Sequence, residues 1–164
     1  MSLLASFDDL HFFENFLLWG IGIVITLFVI SVLVFLVFHV LMAIGLYTLV
    51  KRSSRHDLAW LAWVPIVNTF LITLLVEEDA HESVRGKLTI VYLIVIVGGF
   101  LFSGFLPFLP ALPFAVLMYA FYLLLQKYSK NAIIHTAIAV VTGSLGMSIS
   151  LFMVRHRVEV QANQ

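Results

Sequence analysis

The sequence predicts an all-α integral membrane protein, because its composition and its distribution of charge both differ from those of a soluble domain. Apolar residues make up 62% of the 164 residues and charged residues only 11%, against about 45–50% and about 25% in soluble domains. The mean hydropathy is +1.10. This length is enough for four or five membrane-spanning helices with short loops, so we expect a single membrane domain over residues 1–164.

The composition also excludes several kinds of chemistry. The chain has no cysteine, which rules out disulfides, iron–sulfur clusters and thiolate zinc sites. Its formal net charge is zero, so we expect no attraction to nucleic acid. The sequence contains no HExxH, no phosphate-binding glycine loop and no serine nucleophile elbow. We therefore predict a protein that is not an enzyme and that has no cofactor and no nucleic-acid partner.

The first third of the chain predicts two helical elements with a defined orientation. Residues 2–14 have the spacing of an amphipathic helix lying on the membrane surface. Residues 15–50 carry no formal charge and no proline, which predicts one long span. The basic residues that follow it are Lys51, Arg52 and Arg55, whereas acidic residues precede it. The positive-inside rule then places the N-terminus outside the cell and residues 51–57 in the cytoplasm.

The next apolar segment, residues 58–76, has the features of an interrupted helix. Pro65 removes a backbone donor and Asn68 adds an amide that lipid cannot satisfy, while Trp60 and Trp63 prefer the membrane interface. We favour a re-entrant or interfacial element, with a full crossing as the alternative. Re-entry puts seven Lys and Arg residues inside and two outside, whereas a crossing gives five and four.

The remainder of the chain predicts three further spans. An acidic, polar loop over 77–87, including Glu77, is expected to be solvated and precedes them. The spans are predicted at 88–105, 111–128 and 131–154, followed by a polar tail at 155–164. The predicted fold is therefore a bundle of four transmembrane helices plus the broken segment, with five full spans as the alternative.

Two histidines lie inside predicted spans, where an ionisable group is a candidate for function. His39 lies in the first span and His135 in the last, and a haem or a metal ion held between them is one hypothesis. A neutral histidine bonded to a neighbouring helix is the more economical interpretation. Pro65 and Asn68 offer a third kind of site, because a broken helix can line a polar pathway for a solute.

Small residues recur at helical spacing in the last predicted span. They are Ala139, Gly143, Gly146 and Ser150, whose intervals place them on one stripe of a continuous helix. Such stripes let membrane helices approach closely. We predict a packing seam, either within the bundle or between two copies of the chain.

The stretch "AWLAWVPIVNTFLI" resembles a segment of small bacterial multi-span membrane proteins. These proteins carry a W-x-A-W-[IV]-P-[IV]-x-N pattern after a basic loop, and some end in an apolar run and a basic tail like "LFMVRHR" here. The resemblance covers about a quarter of the chain. It implies a compact multi-helix membrane protein for which no activity is established.

The sequence favours a non-enzymatic membrane protein that serves as a subunit or accessory of a larger complex. Its expected partners are the lipid bilayer and either another membrane protein or a second copy of the chain. Two alternatives stay open, a small oligomeric channel or transporter using the break at Pro65–Asn68, and a haem or metal protein using His39 and His135.

Overall fold

The computed structural model is entirely helical over the residues that it describes. These are residues 2–102, 104, 108–109 and 111–157, with side chains described from residue 16 onward. The elements are α1 Ser2–Arg52, a 3₁₀ helix His56–Trp63, α2 Val67–Leu75, α3 Leu88–Phe102, α4 Ala111–Tyr128, α5 Ala132–Thr142 and α6 Ser144–Val154. The predicted all-α class is therefore confirmed for this part of the chain.

Two of the described helices are long and apolar enough to cross a membrane. They are Phe16–Arg52, within α1, and Ala111–Tyr128, which is α4. Helices α3, α5 and α6 are apolar but shorter. The predicted bundle of four transmembrane helices is thus supported for two of its members, which is compatible with a membrane protein.

The chain divides into two compact units, Met1–Val37 and Phe38–Gln164. The first unit is the N-terminal part of α1, and every described side chain in it, from residue 16 to residue 37, is exposed. The hydroxyls of Thr26 and Ser31 each donate to a carbonyl four residues earlier in the helix, 2.8 Å away. Such internal pairing suits a helix surrounded by hydrocarbon, which offers no partner to a polar group.

Helix α1 is longer than the sequence indicated. The prediction of a separate helix over 2–14 is wrong, because one helix continues without interruption from Ser2 to Arg52. The amphipathic character predicted for that segment concerns side chains outside those described. The helix ends at the basic cluster, where the Ser53 N–H and hydroxyl both donate to the Val50 carbonyl, at 3.0 and 2.8 Å.

Helix α4 is the common neighbour of the other short helices in the second unit. It contacts α2, α3, α5 and α6, and its residues Phe121, Leu124 and Leu125 are buried in the core. Its bounds coincide with the predicted span 111–128. Pro113 does not interrupt it, since a proline in the first turn lacks only an N–H that would have no helical partner.

The prediction of one continuous span over 131–154 is wrong. The segment forms α5 and α6, separated by Gly143, whose φ of 62° and ψ of −132° lie in a region open essentially to glycine. The Nδ1 of His135 and the Oγ of Ser150 lie 3.3 Å apart although fifteen residues separate them. That separation would be ~22 Å along a straight helix, so α5 and α6 fold back on each other as a hairpin.

Candidate functional site at the polar end of the second unit

The segment 56–76 also folds back, and we call it the Pro65 hairpin. It consists of the 3₁₀ helix His56–Trp63, a turn and α2. The Nη2 of Arg55, just before it, lies 3.6 Å from the Oε2 of Glu77, just after it. The chain therefore returns to the place where it entered.

The turn of this hairpin is unusually tight. The Val67 N–H donates to the Pro65 carbonyl at 2.8 Å, which makes a three-residue turn with Ile66 at its centre. Ile66 has a φ of 71°, a value that a β-branched residue rarely adopts. Turns of this kind are rare and strained, so the backbone here is held by its surroundings.

The tip of the Pro65 hairpin is fixed to α1 by His39. The Nε2 of His39 lies 3.2 Å from the Trp63 carbonyl oxygen and donates to it. The Val67 N–H, which would bond to that carbonyl in a continuous helix, donates to the Pro65 carbonyl instead. His39 lies ~20 Å from Arg52 along α1, at about 1.5 Å per residue.

Asn68 lies in the core beside this tip and is only 4% exposed. Its backbone N–H donates to the Val64 carbonyl at 3.1 Å. Among the described residues, no buried side-chain nitrogen or oxygen lacks a hydrogen-bond partner. The structure thus places Pro65 at the break, as the sequence indicated, and Asn68 among packed side chains.

Glu77 ties the mouth of the Pro65 hairpin to the start of α3. One carboxylate oxygen lies near Arg55, and the other accepts from the Thr89 N–H at 3.3 Å. The Glu77 carbonyl accepts from the Gly86 N–H at 3.1 Å. Glu77 is only 7% exposed, so the prediction of a fully solvated acidic loop is wrong at this residue.

Two further contacts attach the acidic loop to α4. The Nζ of Lys127 lies 3.4 Å from the Oδ2 of Asp79. The backbone N–H of His81 donates to the Tyr119 hydroxyl at 3.1 Å. Together with Glu77, they keep the 77–87 loop against the end of α2, the start of α3 and the second half of α4, from Tyr119 onward.

The second hairpin, α5–α6, returns to this same end, and we call it the Gly143 hairpin. The Nη1 of Arg157, beyond α6, donates to the Oγ of Ser129, at the end of α4, over 3.4 Å. The start of α5 and the end of α6 therefore lie close together, with the turn at Gly143 distant from both.

Three of the four residues of the predicted seam, Ala139, Gly146 and Ser150, lie between the two arms of this hairpin. A Cβ added at Gly146 would lie 2.8 Å from the Cα of Ala139, so the arms are in backbone contact. Ser150, also buried, pairs with His135. Gly143 is the turn itself and not part of a stripe, because the single helix that would align all four residues does not exist.

All nine Lys and Arg residues consequently lie at one end of the second unit. The two hairpins and the α3–α4 pair each leave this end and return to it, so every basic segment of the chain meets there. The nine are Lys51, Arg52, Arg55, Arg85, Lys87, Lys127, Lys130, Arg155 and Arg157.

A polar cavity of about 330 Å³ opens at this end. It lies where α1, α2 and α4 finish, and Leu74 and Leu75 form its apolar part. Three basic and two acidic side chains line it, together with two serines and a tyrosine. The polar lining comprises Arg52, Ser53, Ser54, Arg55, Glu78, Asp79, Lys127 and Tyr128.

The two candidate histidines have separate partners. His39 bonds to the Trp63 carbonyl and His135 pairs with Ser150. Within the part of the chain that the structure describes, no three His, Asp or Glu side chains are grouped so that they could hold a metal ion. Each imidazole thus joins two elements of the fold.

Sequence reasoning missed the Gly143 hairpin and the anchoring role of Glu77. The pair Gly143-Ser144 in mid-span was a signal for the first, since glycine is the residue that tolerates such a turn. For Glu77 the available signal was its place immediately after an apolar run.

No family model, no curated protein and no solved structure matches this chain. The resemblance in the segment 59–72 therefore stays a prediction.

Proposed function

We propose that the chain is an integral membrane protein in which α1, α3 and α4 cross the bilayer and both hairpins enter from the cytoplasmic face and return to it. The observation that carries this proposal is the gathering of all nine basic residues at one end. Cytoplasmic segments of membrane proteins carry an excess of Lys and Arg. On this arrangement residues 51–57 and the C-terminal tail are both cytoplasmic, and the N-terminus is outside.

Labelling of single cysteines tests this topology, since the natural chain has none. Cysteines would replace Ser83, Lys130 and His156 at the basic end and Phe108 in the α3–α4 loop. An impermeant maleimide applied to intact cells should label only position 108. The other three positions should become labelled only after the cells are permeabilised. Labelling of position 156 in intact cells would mean that the last segment crosses the membrane.

Within this topology, we propose that the protein is a non-enzymatic subunit or accessory of a larger membrane complex. The supporting observation is the continuous exposure of residues 16–37. The surface that it offers is apolar on all sides, and a second membrane protein can pack against it through van der Waals contact.

Photo-crosslinking in native membranes tests this role. A photoreactive residue at Ile25 or Phe28 is expected to give a discrete protein adduct whose identity is confirmed by crosslinking from the partner. Ile133 and Val141, exposed on α5, serve as matched controls facing lipid. Lipid adducts alone from all four positions would contradict the proposal.

A transport role is the second candidate, because two apolar segments of the chain are interrupted by hairpin turns, at Pro65 and at Gly143. Interrupted helices are where transporters commonly bind substrates and ions. Reconstituted liposomes would be assayed for ion and solute flux. If the Asn68→Leu variant gave the same flux as the natural chain, the Pro65 hairpin would not form the transport pathway, since Asn68 carries the buried side-chain amide of this hairpin.

A further inference from the structure

The polar cavity is a mixed-charge site whose position suits a lipid headgroup. It lies at the ends of α1, α2 and α4, on the side that the proposed topology assigns to the cytoplasmic interface. Its volume of about 330 Å³ falls within the range of ~300–1,000 Å³ typical of small-molecule sites. Charged and polar residues make up most of its lining, and Leu74 and Leu75 form the apolar part.

The ion pairs leave two opposite charges in the cavity to meet a ligand. Arg55 pairs with Glu77 at 3.6 Å and Lys127 with Asp79 at 3.4 Å. Arg52 and Glu78 are the remaining charged residues of the lining, and both are exposed. The cavity therefore presents a guanidinium and a carboxylate together.

A zwitterionic phosphate–ammonium group matches this pair of charges. Guanidinium groups bind phosphate through paired N–H donors, and a carboxylate accepts the N–H bonds of an ammonium. A purely anionic headgroup would satisfy Arg52 but would face Glu78 with a like charge. Leu74 and Leu75 would contact the first carbons of an acyl chain.

We infer that this cavity binds the headgroup of an amine-bearing phospholipid of the phosphatidylethanolamine class. Its phosphate pairs with Arg52 and its ammonium with Glu78. The inference rests on the proposed membrane location of this end. A headgroup bound in this cavity would give the helix bundle a defined contact with the cytoplasmic leaflet.

Binding of short-chain phosphatidylethanolamine to the purified full chain in detergent micelles tests the assignment. Calorimetry is expected to show about tenfold weaker binding for Arg52→Gln, because a charge-assisted contact is lost. Lys130→Gln, which removes an exposed cation outside the lining, should bind like the natural chain. Unfolding temperatures would verify that both variants are folded. Equal binding by the Arg52→Gln variant and the natural chain would overturn the inference.

The acidic partner is tested by headgroup preference. Glu78→Gln should weaken binding of phosphatidylethanolamine about tenfold and leave phosphatidylglycerol binding unchanged or stronger, while Glu82→Gln, outside the lining, should change neither. A natural chain that binds the two lipids equally would refute the zwitterion assignment. If free phosphoethanolamine bound as tightly as the lipid, the ligand would not have to be a lipid, and that part of the inference would be refuted. These binding measurements do not depend on which side of the membrane the cavity faces. The lipid-binding inference and the topology tested by cysteine labelling can therefore fail or succeed separately.

Discussion

The Pro65 hairpin and the Gly143 hairpin both reverse direction within apolar sequence, yet different interactions stabilise them. Polar contacts fix the first at both ends, with Arg55 and Glu77 at its mouth and the His39 bond at its tip. The second has backbone contact at Gly146, the His135–Ser150 pair along its arms, and at its mouth the bond from Arg157 to the uncharged Ser129 hydroxyl. We therefore expect added volume to disrupt the second hairpin and loss of charge to loosen the first.

The largest effect is expected from adding a methyl group where the arms of the Gly143 hairpin touch. Gly146→Ala should lower the free energy of unfolding by about 2–3 kcal/mol, because the new Cβ has a backbone neighbour too close to give way. Unfolding would be followed by tryptophan fluorescence in mixed micelles. Gly98→Ala is the control, since no atom lies within 4 Å of the Cβ that it adds. Equal stability of the two variants would show that the arms are not in contact.

A somewhat smaller loss is expected at the turn of the same hairpin. Gly143→Ala keeps the space around the turn open, as nothing lies within 4 Å of the added Cβ, but it places a side chain at a φ of 62°. The backbone strain should cost about 1–2 kcal/mol of unfolding free energy. The same fluorescence titration measures it, and a variant as stable as the natural chain would mean that the turn lies elsewhere.

The sequence pattern predicts the break in the Pro65 hairpin but not the turn in the Gly143 hairpin, and the difference has a physical reason. Proline abolishes a helical hydrogen bond wherever it stands in a helix interior, so the pattern around Pro65 predicted a break directly. Glycine only permits a turn, and a glycine in a membrane span is equally compatible with close helix packing. The spacing of Ala139, Gly143, Gly146 and Ser150 accordingly predicts one helical stripe. The dihedral angles of Gly143 and the pairing of His135 with Ser150 distinguish the turn from a continuous helix.

The polar end could be foreseen in part. The basic cluster at Lys51, Arg52 and Arg55 was evident as an orientation signal, and the span 111–128 was predicted with its observed bounds. The cavity was not foreseen, because Arg52, Glu78 and Lys127 come from the end of α1, the loop after α2 and the end of α4. Such a juxtaposition depends on packing and leaves no local pattern in the sequence.

A modest destabilisation is expected from neutralising the mouth of the Pro65 hairpin. Glu77→Gln keeps the shape of a buried side chain but removes its charge from Arg55 and weakens its acceptance from the Thr89 N–H. The expected loss is about 1 kcal/mol, since the partly exposed Arg55 is screened by water. Glu82→Gln, at an exposed position of the same loop, should change the unfolding free energy by much less. Identical losses would indicate a general charge effect.

The smallest predicted change is a gain in stability at the turn of the Pro65 hairpin. Ile66 is exposed and contributes little packing, but its φ of 71° strains a β-branched residue. Ile66→Gly should relieve that strain and raise the unfolding free energy by about 0.5–1 kcal/mol, after the entropy of a more flexible unfolded chain is subtracted. Ile66→Ala keeps most of the strain and should give no gain. Ile90→Gly, an exposed position within α3, should lose about 1 kcal/mol. If Ile66→Gly is destabilising to the same extent, the turn carries no strain, and the two hairpins differ only in how their arms are joined.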